Sequence, residues 1–301
     1  MQNATTHRMG PHEIAACMRL VQAAIAEDLG SAGDLTSKAL IGEQHQGSAG
    51  FVARGPGVLA GMEAARIVLA KVDGEVKWEW GQRDGAVVEP GTVLARVAGR
   101  LRSLLAAERI ALNCVQRLSG VATMTRAFVD AIAGLNCSIY DTRKTTPGWR
   151  VLEKYAVRVG GGSNHRMGLN DAVLIKDNHL VAWRHRAGDP APAAAVRAAR
   201  AAVPEGMVVE LEVDSIAQLE QALPGGPDMV LLDNMPLDQL AAAVALRNRL
   251  APKLLLEASG GITLATVRRV AETGVDRISV GAITHSAPAL DIALDFEDLR
   301  A

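Results

Sequence analysis

Six short apolar runs in the second half of the chain each close on residues able to hold or neutralise charge. CSIYD (137–141) leads into Asp141-Thr142-Arg143-Lys144, AVLIK (172–176) ends in Lys176 and MVVELE (207–212) in Glu212. DMVLLD (228–233) ends in Asp233, KLLLEAS (253–259) in Ser259-Gly260-Gly261, and DRISVG (276–281) in Ser279-Val280-Gly281. Strand interiors bury apolar groups cheaply and polar groups at a cost, so a recurrent polar terminus requires solvent or a ligand. If the strands are parallel, these termini gather on one face, where α/β barrels build their sites.

Charge sharpens the picture. From Asp141 to Arg184 the basic residues 143, 144, 150, 154, 158, 166, 176 and 184 face only the acids 141, 153, 171 and 177, in a chain whose net charge is −1. A basic funnel of this kind concentrates anions. Gly160-Gly161-Gly162-Ser163-Asn164-His165-Arg166 could wrap backbone N–H groups around an anion, with the Arg166 fork taking a carboxylate. Ser259-Gly260-Gly261 stands between a strand and a helix expected to begin near Thr263, a setting whose amides and dipole suit a phosphate. Gly281-Ala282-Ile283 would form the other half of that cup. Glu212 and Asp233 admit two readings at this point. They balance nearby lysines, or they hold ribose hydroxyls, bind Mg²⁺ through water and steady positive charge on a sugar.

These termini need a frame. Strands at 137–141 to 276–281 alternate in their later part with the helical segments SIAQLEQAL, PLDQLAAAVALRNRL and TLATVRRVAET, which predicts a parallel sheet covered by helices. Six strands fall short of a full eight-stranded barrel, so an incomplete barrel and an open sheet are both allowed. Residues 13–27 carry helical periodicity. Between Ser48 and Gly99, FVAR, GVLAG, VKWEW, AVV and TVLARV read as strands broken by turns, and no lysine stands at the Glu89-Pro90-Gly91 tip to make it a carrier hairpin. Residues 103–134 predict a long helix or a helix pair, with Arg109, Asn113 and Arg117 on one polar stripe that spacing alone reads as solvated. The stretch 187–206 reads as a surface excursion plus one helix.

Composition narrows the function classes. The chain has 301 residues, 32 basic and 33 acidic side chains and 3% aromatics, so no global field draws it to nucleic acid or a membrane surface. Cys17, Cys114 and Cys137 form no metal or redox motif, and with no apolar signal core the expected setting is the cytoplasm.

The same segments resemble a known family. ERIALN (108–113), RLSGVAT (117–123), DTRKTTPGWR (141–150), EKYAVRVGGGSNHRMGLNDAVLIKDNH (153–179), ELEVDS (210–215), LLDN (231–234), EASGGI (257–262) and SVGAITHSAPALDIALDF (279–296) are similar to the quinolinate phosphoribosyltransferases, as is EDLGSAGDLTS (27–37). The resemblance implies an α/β-sandwich domain at 1–117, an α/β barrel at 118–285 and a C-terminal segment, 286–301, returning toward the first domain. It implies transfer of phosphoribose from phosphoribosyl pyrophosphate to quinolinate with loss of CO₂, Mg²⁺ as cofactor, and a homodimer or an assembly of dimers. Arg109 would then reach the partner's pocket, and Arg143, His165 and Arg166 would hold the quinolinate carboxylates. Lys144, Thr145 and Lys176 would meet the donor's phosphates, and Ser259-Gly260-Gly261 with Gly281-Ala282-Ile283 would bind the 5′-phosphate. Lys144, Lys176, Glu212 and Asp233 would carry the chemistry, the two acids facing ribose and metal-bound pyrophosphate. The same resemblance leaves open a relative that uses another acceptor, and a non-catalytic binder of phosphorylated sugars.

Overall fold

The computed structural model describes residues 7–187 and 191–297. Along the chain run α1 (Pro11–Leu29), α2 (Leu35–Leu40), β1 (Gln46–Ala53), β2 (Gly57–Val58), α3 (Met62–Val72), β3 (Lys77–Trp80), β4 (Val87–Val88), β5 (Val93–Arg100) and α4 (Leu101–Ala131). There follow β6 (Ser138–Tyr140), α5 (Arg150–Val159), β7 (Val173–Ile175), α6 (Asp177–Ala187), α7 (Pro192–Ala202), β8 (Val209–Val213) and α8 (Ile216–Ala222). The last are β9 (Met229–Asp233), α9 (Leu237–Leu250), β10 (Leu255–Ser259), α10 (Val267–Glu272), β11 (Arg277–Ser279), α11 (Ala282–His285) and β12 (Ile292–Glu297). They divide into two units. Among the described residues, one gathers 7–126, 144–161 and 282–297; the other holds 127–143, 162–187 and 191–281.

In the first unit an antiparallel sheet runs β12-β1-β5-β3. Ala49, Phe51 and Ala53 of β1 are fully buried on one face of the sheet, and Gly50 between them is buried as well. Helices α1, α3 and α5 pack together in this unit. The sequence reading of 48–99 names strands and no helix, yet between GVLAG and VKWEW residues Ala64, Ala65, Val68 and Leu69 bury one helical face. Helix α4 is one unbroken element with Leu104, Ala107, Ala111, Val115 and Leu118 buried. At Gly120 a Cβ would lie 2.0 Å from the Pro288 carbonyl, so only glycine lets the C-terminal segment pass so close.

The second unit is a six-stranded parallel sheet in the order β6-β11-β10-β9-β8-β7. All six sequence-predicted strands are present, and α8, α9 and α10 separate the last four. Acids at the strand starts satisfy backbone. Asp228 accepts from Val209 N (2.7 Å), and Asp276 accepts from Leu256 N (2.8 Å) and from Arg247 Nη1 (2.7 Å). Such pairing at the N-terminal edge of the sheet is structural. Among the described residues no helix is long and apolar enough to cross a membrane.

Candidate active site

The opposite edge of the parallel sheet carries a different set of groups. Register places Asp233 beside Ser259 and Glu212 beside Leu231, so Glu212, Asp233 and Ser259 stand at the ends of three neighbouring strands. Lys176, just past β7, reaches Glu212 with Nζ 2.8 Å from Oε2. For Glu212, charge balance with a lysine is therefore realised. Asp233 has no lysine partner among the described residues and accepts instead from Asn234 Nδ2 (2.7 Å). A cavity of about 200 Å³ opens beside both acids, also lined by Asp177, Arg184, Asp214 and Gln218.

Arg143 and Arg166 form a second group in the same unit. Burial pushes the Arg166 guanidinium below its usual range, and the charge of Arg143 lowers it further. Arg166 donates to the Ala172 carbonyl (2.8 Å), while Nε of Arg143 is buried without a partner. Neither has an ion-pair partner among the described residues. Two partly desolvated cations so arranged call for an anion with more than one acceptor group.

His165 points elsewhere. Its Nδ1 accepts the Arg166 backbone N–H (2.9 Å), and its Nε2 lies 3.1 Å from Glu210 Oε2 and 3.5 Å from Glu257 Oε1. Both carboxylates are buried inside strands, against the expectation that only strand termini are polar. Burial, with the Glu210 charge next and His165 opposing, pushes the Glu257 carboxyl up to about 7. Sequence reading passed over these two residues. A signal was present: in ELEV, strand alternation puts Glu210 on the same face as Glu212. Fully buried Asp141 completes the loop's anchorage, accepting from His165 N (2.8 Å) and Asn164 Nδ2 (2.6 Å).

The glycine loop after β10 departs from expectation. Gly260 and Gly261 both have positive φ (98° and 60°), but a turn at 264–266 intervenes before a six-residue α10, so the helix does not begin near Thr263. Thr263 and Thr266 bond one another in that turn. A phosphate here would be met by loop amides, with little help from a helix dipole. Gly281 ends the strand side of the other half-cup, whereas Ala282 and Ile283 open α11 in the first unit. Ile283 is fully buried, so only its backbone can serve a ligand.

Lys144, Thr145 and Arg109 also belong to the first unit. Lys144 and Arg109 are exposed, and the Thr145 hydroxyl accepts from Arg150 Nε (2.9 Å). Three cations of the presumed funnel lie on α5: Arg150; Lys154, which is fully buried; and Arg158, which pairs with Glu13 (2.5 Å). Arg117 is no solvated stripe residue. It donates to fully buried Glu153 from Nη2 (2.7 Å) and Nε (3.1 Å), because α5 covers that face of α4.

For Mg²⁺, the donor set to test is Glu212 and Asp233, two partly exposed carboxylates on adjacent strand ends beside an open cavity. Mg²⁺ is held by one or two carboxylates, retained waters and substrate phosphates, and this pair fits that pattern. The three cysteines are unsuited to nucleophilic work. Burial pushes Cys17 up to about 11 and Cys114 and Cys137 up to about 12.

A parallel sheet with paired acids at its C-terminal edge and a desolvated arginine pair nearby defines an α/β-barrel type of enzyme that handles anionic substrates. Comparison with known proteins narrows this. The family model described as "Quinolinate phosphoribosyl transferase, N-terminal domain" matches residues 34–119, and that for the C-terminal domain matches 121–295. The "Nicotinate-nucleotide pyrophosphorylase [carboxylating]" of Mycobacterium leprae is 46% identical over 285 residues, covering 94% of this chain and 98% of that protein. The "Quinolinate phosphoribosyltransferase [decarboxylating] 1b" of Nicotiana tabacum is 40% identical, covering 92% of this chain and 81% of that protein. The solved nicotinate-nucleotide pyrophosphorylase of Francisella tularensis superposes with TM-score 0.87 at 37% identity, covering 98% of this chain and 100% of that one. The chain belongs to the quinolinate phosphoribosyltransferase family.

Proposed function

We propose that the protein condenses quinolinate with phosphoribosyl pyrophosphate, giving nicotinate mononucleotide, pyrophosphate and CO₂, a decarboxylating pentosyl transfer of NAD biosynthesis. Besides family membership, one observation carries the reading: Arg143 and Arg166 act on one another, are partly desolvated, and make no salt bridge among the described residues, with Glu210 and Asp171 acting on Arg166 only at longer range. The adjacent carboxylates of quinolinate supply the missing charge in a geometry that guanidinium forks match.

Pyrophosphate must leave from the anomeric carbon, so negative charge grows on the leaving group while the sugar becomes oxocarbenium-like. Lys176, held by Glu212, and Lys144 meet the phosphates; Glu212 and Asp233 face the ribose and steady its developing positive charge. Glu212 and Asp233 would hold Mg²⁺ through water, and the ion would supply charge neutralisation at the pyrophosphate. Ser259-Gly260-Gly261 and Gly281-Ala282-Ile283 hold the 5′-phosphate through backbone amides, with Thr145 lining the pocket. Attack by the pyridine nitrogen makes the ring cationic, and that cation is the electron sink for loss of the neighbouring carboxylate. His165 contributes to the acceptor pocket from below Arg166. Arg109, exposed on α4, reaches the neighbouring subunit's pocket in a homodimer. Three unpaired cysteines suit a cytoplasmic setting.

The test is a coupled assay in which quinolinate, phosphoribosyl pyrophosphate and Mg²⁺ are omitted in turn, with carboxyl-labelled quinolinate to follow CO₂. Pyrophosphate release should require all three and match CO₂ one for one. Pyrophosphate release with nicotinate but not quinolinate would refute the acceptor.

A further inference from the structure

The interior of the parallel sheet holds an arrangement that the reaction as described leaves unused. Glu210, 2% exposed, and Glu257, fully buried, project into it from β8 and β10, where their strands lie on either side of β9. Glu210 Oε1 and both Glu257 oxygens lack a hydrogen-bond partner, as does the neighbouring Ser279 hydroxyl. Such oxygens are expensive to bury, and apolar residues would pack a sheet interior at lower cost. What they face is the His165 ring, with Nε2 3.1 Å and 3.5 Å away. The opposite nitrogen, Nδ1, already accepts the Arg166 N–H, so the ring carries its proton on Nε2 and directs it at the acids.

We propose that Glu210 and Glu257 are positioning residues for the acceptor pocket: from inside the sheet they grip Nε2 of His165 and so preset the loop that carries Arg166. This rests on the reading that Arg166 holds a quinolinate carboxylate. The chain of contacts is short. The acids fix the imidazole, the imidazole accepts the Arg166 N–H, and the guanidinium is then steadied by the Ala172 carbonyl at 2.8 Å. Asp141 holds the same loop from the other side through His165 N and Asn164. Groups that orient a binding residue act by removing its alternative conformations, and a displacement of about 1 Å at a binding group can cost on the order of a hundredfold. An acid pair beneath an anion site would repel the ligand if both were ionised. Burial and the Glu210 charge raise the Glu257 carboxyl, which limits that repulsion.

The experiment uses the full-length protein with Glu210→Met and Glu257→Met, which keep volume and remove the grip, and Glu210→Gln and Glu257→Gln, which keep a polar oxygen for the imidazole N–H. Quinolinate affinity is read by calorimetry, and the KM for phosphoribosyl pyrophosphate by steady-state kinetics. The Met variants should bind quinolinate at least about tenfold more weakly with the donor KM within about twofold, and the Gln variants should recover to within about threefold. In wild type, the ¹H–¹⁵N long-range spectrum should show His165 protonated on Nε2, a signature available even if the Met variants fail to fold. Unchanged quinolinate affinity in folded Met variants would overturn the proposal. So would equal weakening of both substrates, a ring protonated on Nδ1, or an equimolar divalent ion in the purified protein, since the His165, Glu210 and Glu257 ligand atoms all lie within 4.8 Å of one another. If wild type neither binds quinolinate nor releases pyrophosphate, the acceptor assignment itself has failed.

Discussion

Removing the Glu153 carboxylate should destabilise the first unit more than any other single charge deletion there. Its Oε1 accepts from Arg117 Nη2 (2.7 Å), Arg117 Nε (3.1 Å) and Thr146 Oγ1 (3.0 Å), and its Oε2 accepts from Thr146 N (3.0 Å). The residue is completely buried and the Arg117 side chain is 24% exposed, so water replaces little of what is lost. Breaking a buried pair from one side costs about 3–5 kcal/mol, because the remaining charge stays desolvated. Arg117 keeps its bonds to the Ala287 carbonyl (2.9 Å) and the Thr284 carbonyl, which argues for the lower half of that range in Glu153→Ala. At roughly 2–4 °C per kcal/mol for a protein of this size, the melting temperature should fall by on the order of 10 °C. Urea unfolding of Glu153→Ala, Arg117→Ala and the double variant measures it. The double variant should cost less than the sum of the singles by about 1–3 kcal/mol. Strictly additive losses, or a Glu153→Ala loss under about 1 kcal/mol, would show that the buried pair holds nothing together.

Four further outcomes follow from the same geometry. Arg143→Ala or Arg166→Ala should lose at least ~2.7 kcal/mol of transition-state stabilisation, by analogy with deleting one charge-stabilising donor, and wild-type turnover with both substrates varied would remove them from the site. Glu212→Gln with Asp233→Asn should lower kcat; a rise confined to the KM for quinolinate would contradict their sugar-facing role. Gly260→Ala forces a side chain into φ 98° and sets its Cβ 2.1 Å from Asn234 Oδ1, so the KM for phosphoribosyl pyrophosphate should rise while calorimetric quinolinate affinity holds. Glu257 titrates near its ordinary 4.5 when unfolded and at about 7 when folded, so between those values the folded state binds the extra proton. Its contribution therefore favours folding at low pH and fades as pH rises through that window, and Glu257→Gln should flatten that part of a urea-midpoint against pH curve.

How much of this was legible in sequence depended on whether a residue's role is local. Lys176, Glu212, Asp233 and Ser259 end apolar runs, and a polar end to a strand is visible without knowing what lies beside it; all four do stand at or just past strand ends of the parallel sheet. Arg117 shows the opposite case. Its spacing from Arg109 and Asn113 places it on a helix face correctly, but its partner Glu153 is 36 residues away and nothing local says that α5 covers that turn. The same helix misled the charge count. Arg150, Lys154 and Arg158 follow the Asp141 cluster in sequence, yet their helix carries them into the other unit, with Lys154 fully buried. Helix α3 was hidden by the strand-like GVLAG before it, and the α10 boundary by a threonine that bonds a turn and caps no helix.

Acids in the parallel sheet change role with what surrounds them, and this explains why residue type alone could not assign them. At the strand starts, Asp228 and Asp276 are taken up by backbone N–H groups and arginines. In the interior, Glu257 and Glu210 face the His165 imidazole, and burial with the Glu210 charge pushes the Glu257 carboxyl up. Beside the open cavity, Glu212 meets Lys176 and Asp233 accepts from Asn234, a setting in which a carboxylate can face a cationic sugar. Register makes the contrast sharp. Glu212 and Glu257 both neighbour Leu231, on opposite sides of the same strand, yet one side chain is 16% exposed and salt-bridged while the other is sealed. The width of one strand, with no change of level, thus separates a carboxylate fit for charge stabilisation from one fit to orient a histidine. Removing the lysine by Lys176→Met should leave the interior acids untouched and raise the KM for phosphoribosyl pyrophosphate, since of these acids only Glu212 pairs with that lysine.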